Sequence, residues 1–135
     1  MKYLKIISII SFLLINGLGE HGIPNFAGIF LCLHEFLTDI ITLPHTHEIA
    51  WGLGLFAISA IGCILIILFS KKYRDRYLLV FSFMVLIAIE IYSSGILRYN
   101  KITLWFIFPF LVFIVSSVVL ILRSFKSQRK SIPDV

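Results

Sequence analysis

The sequence predicts an all-α membrane protein: a four-transmembrane-helix bundle with an amphipathic interfacial helix on its outer face. Three observations predict it. The composition is too apolar for a water-soluble globule, several runs are long enough to cross a bilayer, and Lys and Arg fall almost wholly on one side of those runs. Of 135 residues, 59% are hydrophobic and 14% charged, whereas about 25% charged residues is usual in soluble proteins. A mean hydropathy of +1.01 leaves too few polar groups to cover a globule of this size. That excludes a soluble enzyme, a disordered tail and a disulfide-stapled secreted module, and the length reads as one domain, residues 1–135.

A bilayer crossing takes about 20 apolar residues. Residues 49–69 carry no charge, and residues 77–97 carry one, Glu90. Residues 102–122 carry none and include Trp105 near their start, where an amphipathic ring suits the headgroup level. A weaker run covers residues 3–19, with Lys5 near its start. All four are continuously apolar rather than alternating, so barrel strands fit them poorly. The first run has two readings. It is either a retained helix, which we expect, or a cleaved signal peptide with residues 1–5 as the basic region and Gly17 and Gly19 as the small residues near the cut.

Residues 26–43 carry His34, Glu35 and Asp39, each costly at the bilayer centre. Phe26, Ile29, Phe30, Leu33, Leu37, Ile40 and Ile41 recur at helical spacing, and the polar residues lie off that stripe. Pro24-Asn25 opens the segment and Pro44 closes it. It therefore reads as the interfacial helix, lying on the outer face or across the bundle mouth, within an outer loop of residues 20–48.

Lys2, Lys5, Lys71, Lys72, Arg74, Arg76, Arg123, Lys126, Arg129 and Lys130 face one side under this topology, and only Arg98 and Lys101 the other. By the positive-inside rule both termini are expected in the cytoplasm, with residues 124–135 a basic tail, and a bacterial plasma (inner) membrane is the expected setting. The net charge of +5 is thus a topology signal and a contact for anionic lipid rather than a nucleic-acid surface.

The outer loop concentrates chemistry. It holds all four histidines, His21, His34, His45 and His47, together with Glu20, Glu35, Asp39 and Glu48, and no Lys or Arg. Imidazole with carboxylate is a donor set for a divalent transition metal, Zn or Cu. His45 and His47 share a face if the chain there is extended, and diverge by about 200° if it is helical. His34 with Glu35, Glu20 with His21, or Glu48 can complete a shell. The H-E-x-x-H motif is absent, since Phe36, Leu37 and Thr38 follow His34-Glu35. A solvated polar loop, or one that responds to pH through its histidines, explains the same residues without metal.

Glu90 stands alone within its run, about 10 Å short of Leu97 at 1.5 Å per residue. Ser93 and Ser94 lie on its side of the helix. Ser59 from the second run or Asn16 from the first are candidate neighbours at similar depth. An intramembrane carboxylate is either an interhelical hydrogen bond, of about 0.6–2 kcal/mol, or a site for a proton, a cation, a partner or a polar lipid. Elsewhere the residues read as packing. Ala50, Gly52, Gly54, Ala57, Ser59, Ala60, Gly62 and Cys63 allow close helix approach. Pro109 is expected to kink the last helix, and Cys32 and Cys63 lie at different depths and form no C-x-x-C pair.

The expected function is a non-enzymatic accessory or interaction subunit, partnered by the lipid bilayer and by other membrane subunits or further copies of itself. The alternative is a small proton- or metal-cation-coupled transporter using Glu90 and the histidines. A membrane enzyme acting on a lipid or quinone near the outer face stands third, since no nucleophile–base pair or cofactor motif is present.

Overall fold

The computed structural model describes residues 2–17, 22–42, 50–71, 74–98 and 101–126. These form five helices: α1 (Lys2–Leu14), α2 (Asn25–Ile41), α3 (Trp51–Phe69), α4 (Arg76–Ser93) and α5 (Leu104–Lys126). Among the described residues there is no sheet, only an isolated bridge between Asn16 and Pro24. Three helices, α3, α4 and α5, are long and apolar enough to cross a membrane. They fall on the three strongest apolar runs, and α5 continues beyond residue 122 to Lys126. The chain is all-helical and membrane-embedded.

The first run forms a shorter helix than its apolar length suggests. α1 has 13 residues, about 20 Å of helix, against about 30 Å of hydrocarbon. It stops because the backbone turns back on itself. The Ile15 N–H closes on the Phe12 carbonyl at 3.3 Å, Gly17 N–H donates to Ile23 O at 3.2 Å, and Asn25 N–H donates to Ile15 O at 2.9 Å. The reversal needs glycine at 22, where a Cβ would stand 2.5 Å from the Gly17 carbonyl oxygen.

α2 forms as expected but packs on a different face from its most apolar one. The covered residues include Asn25, Ile29, Cys32, Phe36 and Asp39, at near-heptad spacing, with Ala27, Gly28 and Leu33 half-covered beside them. Most of the apolar stripe, Phe26, Phe30, Leu37, Ile40 and Ile41, is uncovered by the rest of the chain. α2 therefore has an apolar surface wider than its seam with α3. At that seam the Phe36 ring fills the notch left by Gly54, with its centroid 5.8 Å from that of Trp51. Asp39 Oδ2 accepts the Ala50 N–H at 3.1 Å, which places a carboxylate at the positive end of α3.

The core joins α1 to α5 and α3 to both α2 and α4. Phe113 is its centre, with ring centroids 5.5 Å from Phe12 and 6.0 Å from Phe83. The small residues of α3 divide between two surfaces. Gly54, Ala57, Ala60 and Cys63 are buried, whereas Gly52 and Ser59 are exposed. Buried serines satisfy themselves within their own helices: Ser116, Ser117 and Ser124 donate to the carbonyl three or four residues earlier. Ser8 and Ser117 also meet across the α1–α5 contact at 3.2 Å. Phe106 and Phe113 are buried while Phe108 is uncovered, so the aromatics of α5 face both protein and surroundings.

The two ends of the molecule differ. At one, the Lys5 ammonium donates to the Ser70 carbonyl, just beyond α3, a favourable place for a cation. Nearby, Arg76 lies over the rings of Tyr77 and Phe125, at 4.9 and 5.4 Å. This end gathers the start of α1, the end of α3, the start of α4 and the end of α5. The other end holds Asn25, Glu90, Ser94 and Arg98.

Candidate functional site

Glu90 is fully buried, one turn before the end of α4. A lone carboxyl in such a place needs a donor, and it finds one on α2. The Asn25 amide donates from Nδ2 to Glu90 Oε2 and from the same nitrogen to the Phe12 carbonyl at 2.9 Å. One side chain thus joins α1, α2 and α4. Two local features put it there. The α1 reversal brings residue 25 beside residue 15, and Pro24, extended at φ −65° and ψ 147°, starts α2 with Asn25 as its first helical residue.

The carboxyl is only half satisfied. Among the described residues Glu90 Oε1 has no partner, and neither does the Ser94 hydroxyl one turn further along the same face. Both are buried, with Ser94 3% exposed. Ser94 ends α4, and Gly95 follows it at φ 70°, the left-handed position that glycine takes after a helix. Ser93 does not reach the carboxylate; its hydroxyl lies 3.5 Å from the Glu90 backbone carbonyl.

Next to these groups is a cleft of about 670 Å³ between α2, α3 and the end of α4. Asn25, Ser93, Ser94 and Arg98 supply its polar wall, and Ile29, Phe56 and Leu97 are among its apolar residues. Cys32 borders it too, but burial, with Glu35 adding its charge, pushes that thiol up from its usual range. It stays a neutral thiol, and both Cys32 and Cys63 are unbridged. A second, apolar cleft of about 740 Å³ lies between the α1–α2 turn and α5, where Asn16, Trp105 and Pro109 form part of the lining.

The residues singled out by sequence separate accordingly. Ser93 and Ser94 line the polar cleft, and Glu90 is buried one turn behind Ser94. Ser59 is exposed on α3. Asn16 lines the apolar cleft and pairs its backbone with Pro24. His34 and Glu35 are exposed on α2, off the face that packs, so the one described histidine does not converge with Glu90. His21, His45, His47, Glu20 and Glu48 lie outside the described residues. Among the described residues no group of three His, Cys, Asp or Glu side chains could hold a metal ion.

Sequence reasoning missed Asn25, which reads as mere punctuation after Pro24. The available signal was its register: Asn25 shares a helical face with Ile29, Cys32 and Phe36, so the face that packs carries the amide inward. The chain matches no protein-family profile, no curated protein and no solved structure.

Proposed function

We propose that the protein is a small multi-pass membrane subunit with a non-enzymatic, interaction-based role, set in a four-helix bundle with both termini cytoplasmic and α2 at the outer interface. One observation carries this reading. Of the most apolar stretch of each spanning helix, only 28% of the residues are fully buried within the chain, so a large share of that surface is left for lipid or other subunits. On α3 the uncovered side includes Gly52 and Ser59, with Gly62 half-covered, and nothing stands within 4 Å of a Cβ at Gly52 or Gly62. Small residues along an open helix side are what allow another helix to approach closely in lipid. Extraction in mild detergent followed by native mass spectrometry tests this. A stoichiometric partner or a discrete oligomer is expected, and Gly62→Leu should dissociate it. A lone monomer under every mild condition rejects it.

A second reading rests on the unpartnered Glu90 Oε1: a group that exchanges a proton or a small cation at the outer end of the bundle. Proteoliposome flux compares wild type with Glu90→Gln, and equal flux in both removes this reading. The histidine part of it needs bound Zn or Cu that is lost in His45→Ala/His47→Ala.

A further inference from the structure

We propose that the polar cleft at the Glu90 end binds the head of an anionic phospholipid that carries hydroxyl groups, with phosphatidylglycerol as the test case. Three features of the cleft define that ligand. Arg98 is exposed on its rim, and no carboxylate pairs with the guanidinium among the described residues. Ser94 lies on its wall, 3% exposed and without a hydrogen-bond partner. The side formed by α2 and α3 is apolar, through residues such as Ile29 and Phe56. A ligand that uses all three has a negative group for Arg98, a hydrogen-bonding group for Ser94 and a hydrocarbon body.

Glu90 narrows the choice. Its unpartnered Oε1 is buried one turn inward from Ser94 on the same face of α4, behind the lining, so the floor of the cleft at Ser94 is backed by an acidic group. A bare anion pushed to that depth would meet a second acidic group. A head with both phosphate and hydroxyls suits the gradient: phosphate stays at the rim with Arg98, and a hydroxyl donates to Ser94 Oγ below it. A choline head has no donor for that floor and brings a compensating positive charge to Arg98. The cleft volume of about 670 Å³ is within the usual range for small-molecule sites. The acyl chains would leave along the apolar side into the surrounding bilayer. This binding is independent of whether the protein has a partner subunit.

Purified full-length protein in detergent would be titrated with dioleoylphosphatidylglycerol, dioleoylphosphatidylcholine or glycerol 3-phosphate, and bound ligand counted by native mass spectrometry. The expected order is phosphatidylglycerol retained at least fivefold over phosphatidylcholine, with no retention of glycerol 3-phosphate. Arg98→Gln should weaken phosphatidylglycerol about fivefold, the usual effect of one basic residue on anionic lipid, and Ser94→Ala should weaken it further. Gly28→Leu is the plug. Gly28 borders the cleft, and a Cβ there meets nothing within 4 Å, so the variant should fold normally and lose the lipid. Equal retention of the two lipids overturns the proposal. So does undiminished phosphatidylglycerol binding in both Arg98→Gln and Gly28→Leu, or glycerol 3-phosphate binding as tightly as the lipid.

Discussion

Asn25 and Glu90 depend on each other because each would be a buried polar group without the other. Asn25→Ala removes the donor to Glu90 Oε2 and to the Phe12 carbonyl together. The expected cost is about 1–3 kcal/mol, the penalty for leaving a buried acceptor unmade, read as a lower thermal midpoint in detergent. Glu90→Gln should behave differently. Its amide oxygen still accepts from Asn25, and an uncharged amide costs less to bury than an ionised carboxylate. Thermal stability equal to or above wild type is therefore expected for Glu90→Gln, with a clear loss for Glu90→Ala. A Glu90→Gln variant as unstable as Glu90→Ala would mean that the ionised carboxylate itself holds the helices together. Glu90 itself was legible in the sequence, as the single charge in a long apolar run. Its partner was not, because pairing across 65 positions depends on a chain reversal that, among the described residues, is closed mainly by backbone hydrogen bonds.

The same division between local pattern and tertiary contact holds for whole helices. α3, α4 and α5 were readable because a bilayer demands long uncharged runs, and no packing detail alters that demand. The α1 stop at Leu14 was less readable, since residues 15–19 remain mostly apolar and only the turn through Gly17 and Gly22 cuts the helix short. The α2 stripe was correctly helical, but apolarity did not say which side meets protein and which meets lipid. Gly54 decides it by leaving a notch for Phe36. A Cβ at residue 54 would stand 2.5 Å from the ring, and the ring is held on its other side by Trp51. Gly54→Ala should therefore loosen the α2–α3 seam, at about 1–3 kcal/mol for overpacking. Phe36→Leu in the same chain should restore part of the loss. Gly52→Ala and Gly62→Ala, with open space around them, should be neutral or gain up to about 1 kcal/mol in helix propensity. Thermal melts of the four variants would distinguish these cases, and a harmless Gly54→Ala would show that α2 is not seated on α3.

For the molecule as a whole, the contacts divide the basic residues between two ends, and a membrane translates that division into topology. Lys5 reaches the carbonyls at the end of α3, and Arg76 stacks near Phe125 at the end of α5. The start of α1, the α3–α4 link and the end of α5 must therefore lie on one side. Arg98 and Lys101, between α4 and α5, must lie on the other if both helices cross. The topology proposed above puts the first side in the cytoplasm, on the uneven charge. Single cysteines in a Cys32→Ala/Cys63→Ala background, treated in intact cells with a membrane-impermeant maleimide, test each part separately. Arg98→Cys and Lys101→Cys should react at once, whereas Lys2→Cys, Arg74→Cys and Lys126→Cys should react only after permeabilisation. His34→Cys decides the placement of α2, because residue 34 is exposed on its polar side. Labelling from outside is expected if α2 lies at the outer interface with Phe30 and Leu37 turned toward lipid. Labelling of residue 34 only from the cytoplasm would invert the α1–α2 hairpin. That outcome cannot coexist with Asp39 bonded at the start of α3 on the side of Arg98.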